Sequence, residues 1–120
     1  MGFGLAVWYE PATISVDRAG QVYQQLVSDE PAGLTPHPAV GSFPRKLEHR
    51  YPEFDLVTGD DVELSPWAAA HRADDAHVQV SIEPSRCEEV AGYVRELAAE
   101  HGLVCFDPQE QLVHHPPRPA

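Results

Sequence analysis

Residues 78–106 constrain the fold more than any other stretch of this 120-residue chain. Val78, Val80 and Ile82 alternate with Gln79, Ser81 and Glu83, the period of a strand with one buried face. Ser85-Arg86-Cys87-Glu88 follows the Ser-x-x-Glu pattern, in which the serine hydroxyl caps the Glu88 amide and the glutamate reaches back. Cys87, Val90, Ala91, Val94, Leu97 and Ala98 then mark a helical stripe. Gly102 stands where a left-handed residue ends a helix, and His101 suits the negative end of the helix dipole. Leu103 to Phe106 is a short apolar run of the buried-strand type. A strand–helix–strand unit crosses over right-handed, and this helix is long enough to leave room for a third strand between the two.

The natural occupant of that gap is the N-terminal strand. Phe3, Leu5, Val7 and Tyr9 alternate with Gly4, Ala6 and Trp8, so both faces are expected to be covered, and Pro11 ends the run. Ser15 caps a helix whose stripe reads Val16, Ala19, Tyr23, Leu26 and Val27. Val40, Phe43, Leu47 and Tyr51 repeat at steps of three, four and four, a second amphipathic helix. Pro44 falls inside it, so this helix is expected to begin near Phe43 or to kink there. Leu112 and Val113 form one more strand, which turns back on the preceding one and ends the sheet at an edge. The reading is a single α+β domain over residues 1–115 with a proline-rich tail at 116–120. Its order is β-α-α-loop-β-α-β-β: a mainly antiparallel sheet with helices on one face, a ferredoxin-like plait in the C-terminal half.

Charge narrows the function classes. Eight Lys+Arg against 19 Asp+Glu leave a net −11 with histidine neutral. This disfavours nucleic acid, which is gripped by a basic stripe, and anionic membrane surfaces. No apolar run approaches a membrane span, and residues 1–10 lack the basic start and long apolar core of a secretion signal. A cytoplasmic protein, monomeric or weakly dimeric, with reduced thiols at Cys87 and Cys105, is the expectation.

Residues 53–75 read as a long acidic loop, with Phe54, Leu56, Val57 and Trp67 as its large apolar residues. Asp60, Asp61, Glu63 and Trp67 are its candidate binding residues. Asp55, Asp60, Asp61 and Glu63 do not match the spacing of a calcium loop. His71, Asp74, Asp75 and His77 form the best local cluster for a metal, since imidazole and carboxylate at close spacing suit zinc. Their setting points more to solvated loop residues, in which case truncating His71 changes little. Both cysteines fall on apolar faces and read as core. No cofactor is expected: no nucleophile elbow, phosphate loop or dinucleotide fingerprint appears. Arg45, Lys46, His49 and Arg50 concentrate positive charge on the second helix, an arrangement that suits either solvent or an anion.

Leu5-Ala6-Val7-Trp8, Glu88-Glu89, His101-Gly102 and Phe106-Asp107 resemble a family of small bacterial proteins with no assigned activity. Its members open on a short strand and close with a Glu-Glu-rich helix, His-Gly and a strand ending in Asp. Gly4 departs from that pattern, which often has Asp there. The resemblance implies a shared fold and assigns no catalytic residue. Some small acidic bacterial proteins serve as immunity partners of toxins. The charge of −11, the acidic loop at 53–75 and the absence of a catalytic signature make the leading expectation a non-enzymatic module for a basic protein partner, with an immunity-type inhibitor as one concrete form by that analogy. The alternative is a metal-dependent hydrolase or metal-binding protein using His71, Asp74, Asp75 and His77.

Overall fold

Strand β1, Phe3–Trp8, runs through the middle of the sheet. The computed structural model describes residues 3–30, 33–51 and 67–116. After β1 come helices α1 (Val16–Val27) and α2 (Pro38–Arg50), then a hairpin of β2 (Trp67–Ala73) and β3 (His77–Ile82). A short 3₁₀ turn, Pro84–Arg86, leads into α3 (Cys87–Glu100), followed by β4 (Val104–Asp107) and β5 (Leu112–His114). The sheet order is β2-β3-β1-β4-β5, and every neighbouring pair is antiparallel. The third strand between β3 and β4 is therefore β1, as the crossover argument requires, and the α+β class with an antiparallel sheet is the observed one.

Alternation along β1 splits the core in two. Leu5 and Val7 face one side with Val78, Val80 and Ile82 of β3 and Cys105 of β4. They meet Val40, Phe43 and Leu47 of α2 and Val90, Val94 and Leu97 of α3. Ala6 and Trp8 face the other side with Val104 and Phe106, under Ala19, Val22 and Leu26 of α1. The expectation of helices on one face thus holds for α2 and α3, while α1 covers the reverse side of β1 and β4. A strand with both faces covered needs apolar residues at every position, and Leu5 to Trp8 are all buried.

Three local expectations are corrected. The stripe of α1 is rotated: Val22 is buried, whereas Val16 and Val27 are 38% and 39% exposed. Ser15 does cap this helix, its hydroxyl accepting from the Arg18 amide. Ser85 is not the cap of α3, because Pro84 starts a 3₁₀ turn that places Ser85 inside it. The helix begins at Cys87, and Arg86 stands at its N-cap without a side-chain capping bond. Glu89, rather than Glu88, is the engaged acid there, accepting from the Tyr51 hydroxyl at 2.6 Å and from Arg86. Finally, α2 does not begin near Phe43: it starts at Pro38 and carries Pro44 in its interior, with His37 at its N-cap and the ring Nδ1 accepting from the Ala39 amide.

The loop expected over residues 53–75 contains β2 at its end. Relative to β3, the register steps from Trp67↔Ile82 to Ala69↔Ser81 and then Arg72↔Gln79, which places two irregularities in one edge strand. Such bulges twist an edge away from further pairing. They also erase the two-residue period that would reveal the strand in sequence. Pro116, at the start of the proline-rich tail, is buried. Among the described residues no helix is long and apolar enough to cross a membrane.

Candidate binding clefts

The β2–β3 turn brings together two of the four residues considered for a metal. Asp74 Oδ1 accepts from the amides of Ala76 and His77 at 2.7 and 2.9 Å, and Asp74 N donates to the His77 carbonyl. His77 Nδ1 lies 2.9 Å from the same oxygen, without the alignment of a hydrogen bond. On its far side Gln79 Nε2 lies 3.1 Å from His77 Nε2. Partial burial pushes the Asp74 carboxyl up, but these amides and the imidazole outweigh it and hold it below the usual range. Asp74 is thus a charged turn-closing residue.

His71 is not a solvated loop residue. It sits on β2 with its ring edge-on to Trp67, centroids 4.5 Å apart, and both ring nitrogens are buried without a hydrogen-bond partner. Burial lowers its pKa to about 4, so it is neutral at pH 7. Trp67 is itself 1% exposed, its Nε1 donating to the Tyr51 carbonyl at 3.2 Å, which removes it from any surface available to a partner. Asp60, Asp61 and Glu63 lie outside the described residues. Among the described residues no three His, Cys, Asp or Glu side chains are grouped to hold a metal ion.

The thiols are structural in setting. Cys105 is buried beneath α3, and burial pushes its pKa up to about 12, so it supplies no thiolate at neutral pH. Three further histidines hold the fold's seams. His37 stacks on Tyr9 at 4.3 Å, His101 Nδ1 lies 2.9 Å from the Leu97 carbonyl, and His115 Nε2 accepts from the Ile14 amide.

Two clefts carry ligand-like chemistry. The first, about 400 Å³, lies where the end of α1 meets the β2–β3 turn; Asp29, Glu30 and Asp74 line it beside Leu26, Leu34 and His77. Asp29 adopts a left-handed φ of 56° as the chain leaves α1 and also pairs with Arg72. The acids Asp29 and Glu30 were not distinguishable in sequence from any other loop carboxylates. Only the sheet order, with β3 beside β1 and β2 outside it, brings them to Asp74. The second cleft, about 470 Å³, lies between α2 and α3 and is lined by Ser42, Arg45, Lys46, His49 and Tyr93. No family model, curated protein or solved structure matches the chain.

Proposed function

We propose that the protein is a non-enzymatic binding module that acts in the cytoplasm, as a monomer or weak dimer, on a basic protein partner. An immunity-type inhibitor of a toxin is one concrete form. The observation that carries this reading is the acidic cleft. Its floor is apolar, from Leu26 and Leu34, and its rim carries Asp29, Glu30 and Asp74. A lysine or arginine side chain has the matching construction, an apolar stem ending in a cation. Amide donors from Ala76 and His77 hold the Asp74 carboxyl below its usual range, so this part of the rim is ionised at neutral pH. The net charge of −11 extends the same attraction outward, raising the rate of encounter with a basic protein.

The test is a pull-down of the products of adjacent genes, at low salt and again at about 0.5 M salt, where exposed charges are screened. A basic protein retained at low salt, lost at high salt and lost with Glu30→Lys supports the reading. Failure of every neighbour to bind at low salt, or retention indifferent to both salt and Glu30→Lys, overturns it.

A further inference from the structure

We propose that the groove between α2 and α3 is a binding site for a compact phosphoryl dianion, either inorganic phosphate or a phosphate monoester. Ser42, Arg45, Lys46 and His49 stand at i, i+3, i+4 and i+7, one stripe of α2. The neighbouring stripe, Val40, Phe43 and Leu47, is buried and fixes the helix's rotation, so the basic stripe is aimed at the groove. Tyr93 of α3 forms the opposite wall. Its ring meets Tyr51 edge-on at 5.6 Å, and the Arg50 guanidinium lies 4.6 Å above Tyr51, so the wall is braced and more positive charge stands beside it.

Charge makes this groove an exception in the molecule. Acids outnumber Lys+Arg 19 to 8, yet among the described residues no carboxylate lines it. Arg72 and Arg86 are paired with Asp29 and Glu89, whereas Arg45 and Lys46 make no ion pair among the described residues. Arg45 with His49, and Lys46 with Arg50, are spaced so that protonated side chains repel. The helix dipole accounts for His49 and Arg50 in the last turn, but not for Arg45 and Lys46 one turn earlier. A bound anion removes the repulsion.

A phosphoryl group fits better than a carboxylate. Two permanent cations match a dianion, and the arginine fork binds two of its oxygens side by side. A third oxygen is left for Lys46 and His49, which line the same groove. Ser42 Oγ donates to the Pro38 carbonyl at 3.3 Å and so belongs to the groove's wall rather than to the donor set.

The experiment is an amide-resolved NMR titration of the full chain with inorganic phosphate, phenyl phosphate and citrate, in about 0.1 M chloride to screen diffuse attraction. Saturable shifts centred on residues 42–49 and on Tyr93 are expected with the two phosphoryl ligands. Arg45→Gln/Lys46→Gln is expected to weaken them at least about tenfold, while Arg18→Gln, on exposed α1, leaves them unchanged. Both altered positions are exposed, so the melting temperature of the double variant should match that of the parent and certify its fold. Tighter binding of phenyl phosphate identifies a monoester site, and tighter binding of phosphate identifies the free ion. Shifts that do not saturate, binding unaffected by the double substitution, or citrate bound as tightly as phosphate would each overturn the proposal.

Discussion

The side-chain amide of Gln109 pairs with the backbone of Gly4 as a neighbouring strand would. Its Oε1 accepts from Gly4 N and its Nε2 donates to the Gly4 carbonyl, both at 2.8 Å. Extending the β1–β4 register from Ala6↔Phe106 by two residues sets Gly4 opposite Pro108, which has no N–H to give. Gln109 supplies the missing pair. Asp107, 1% exposed, organises the same turn, its Oδ1 accepting from the Gln109 and Glu110 amides and from Gln109 Nε2. Gln109→Ala should cost ~1 kcal/mol, since water replaces part of the pairing at this exposed site. Gln109→Glu should cost more, because a carboxylate cannot donate and faces both the Gly4 carbonyl and Asp107. Urea melts of the two variants check the order.

His71 makes stability depend on pH over a defined window. Its folded pKa is about 4 against 6.5 when unfolded, so between those values the unfolded chain binds more protons. Its contribution is complete above pH 6.5 and is lost as pH falls toward 4, up to about 3 kcal/mol. Burial lowers the His114 pKa as well, in the same direction, with Arg95 nearby adding to it. Asp74, whose carboxyl is held low, adds its own loss only at more acid pH. His71→Phe keeps an aromatic ring against Trp67 and removes the titration. Urea melts from pH 4 to 7 should therefore be flatter for this variant, and its stability at pH 7 equal or higher, because two buried nitrogens without partners are gone. A parallel pH dependence in both proteins would show that His71 is not the titrating group.

The α3 boundary makes a sharp contrast between two substitutions. Leu97 is 5% exposed and packs between α3 and the sheet, so Leu97→Ala should cost ~2–5 kcal/mol through the cavity it leaves. Ser85 is exposed within the 3₁₀ turn and caps nothing, so Ser85→Ala should stay within about 0.5 kcal/mol. A loss near 1 kcal/mol for Ser85→Ala would show that its hydroxyl does cap the helix in solution.

What was legible in the sequence was what period and punctuation encode. β1, β3 and α3 carry regular apolar patterns, β4 is a short apolar run right after the α3 cap, and their order forces β1 into the gap. Ser15 and Gly102, the latter at φ 71°, sit where capping rules place them. β2 was not legible, because its two register shifts break the alternation and its sequence, WAAAHRA, is mostly alanine. Ser85 misled because a proline one residue before it favours a tighter turn than the capping motif assumes. The candidate site was less legible than the fold. The basic stripe of α2 could be seen as a run, but its opposite wall, Tyr93, comes from α3, which follows only after β2 and β3 in chain order. The acidic cleft joins the end of α1 to the β2–β3 turn, a contact only the sheet order creates.

Pro44 is the residue at which helix chemistry and tertiary packing are in conflict. Lacking an N–H, it leaves the Val40 carbonyl without its usual donor four residues on, and its ring crowds that turn. The helix nevertheless continues, because Val40, Phe43 and Leu47 on either side of the proline are all fully buried against the sheet. Packing across this stripe outweighs a local cost of ~3 kcal/mol for an interior proline. Pro44→Ala should restore the hydrogen bond and relieve the crowding. The more flexible unfolded chain takes back roughly 0.4–1 kcal/mol of that gain. A net stabilisation of ~1–2 kcal/mol is expected, seen as a higher urea midpoint with an unchanged slope. A destabilised Pro44→Ala would mean that the proline ring, itself half-buried, contributes packing that alanine cannot replace.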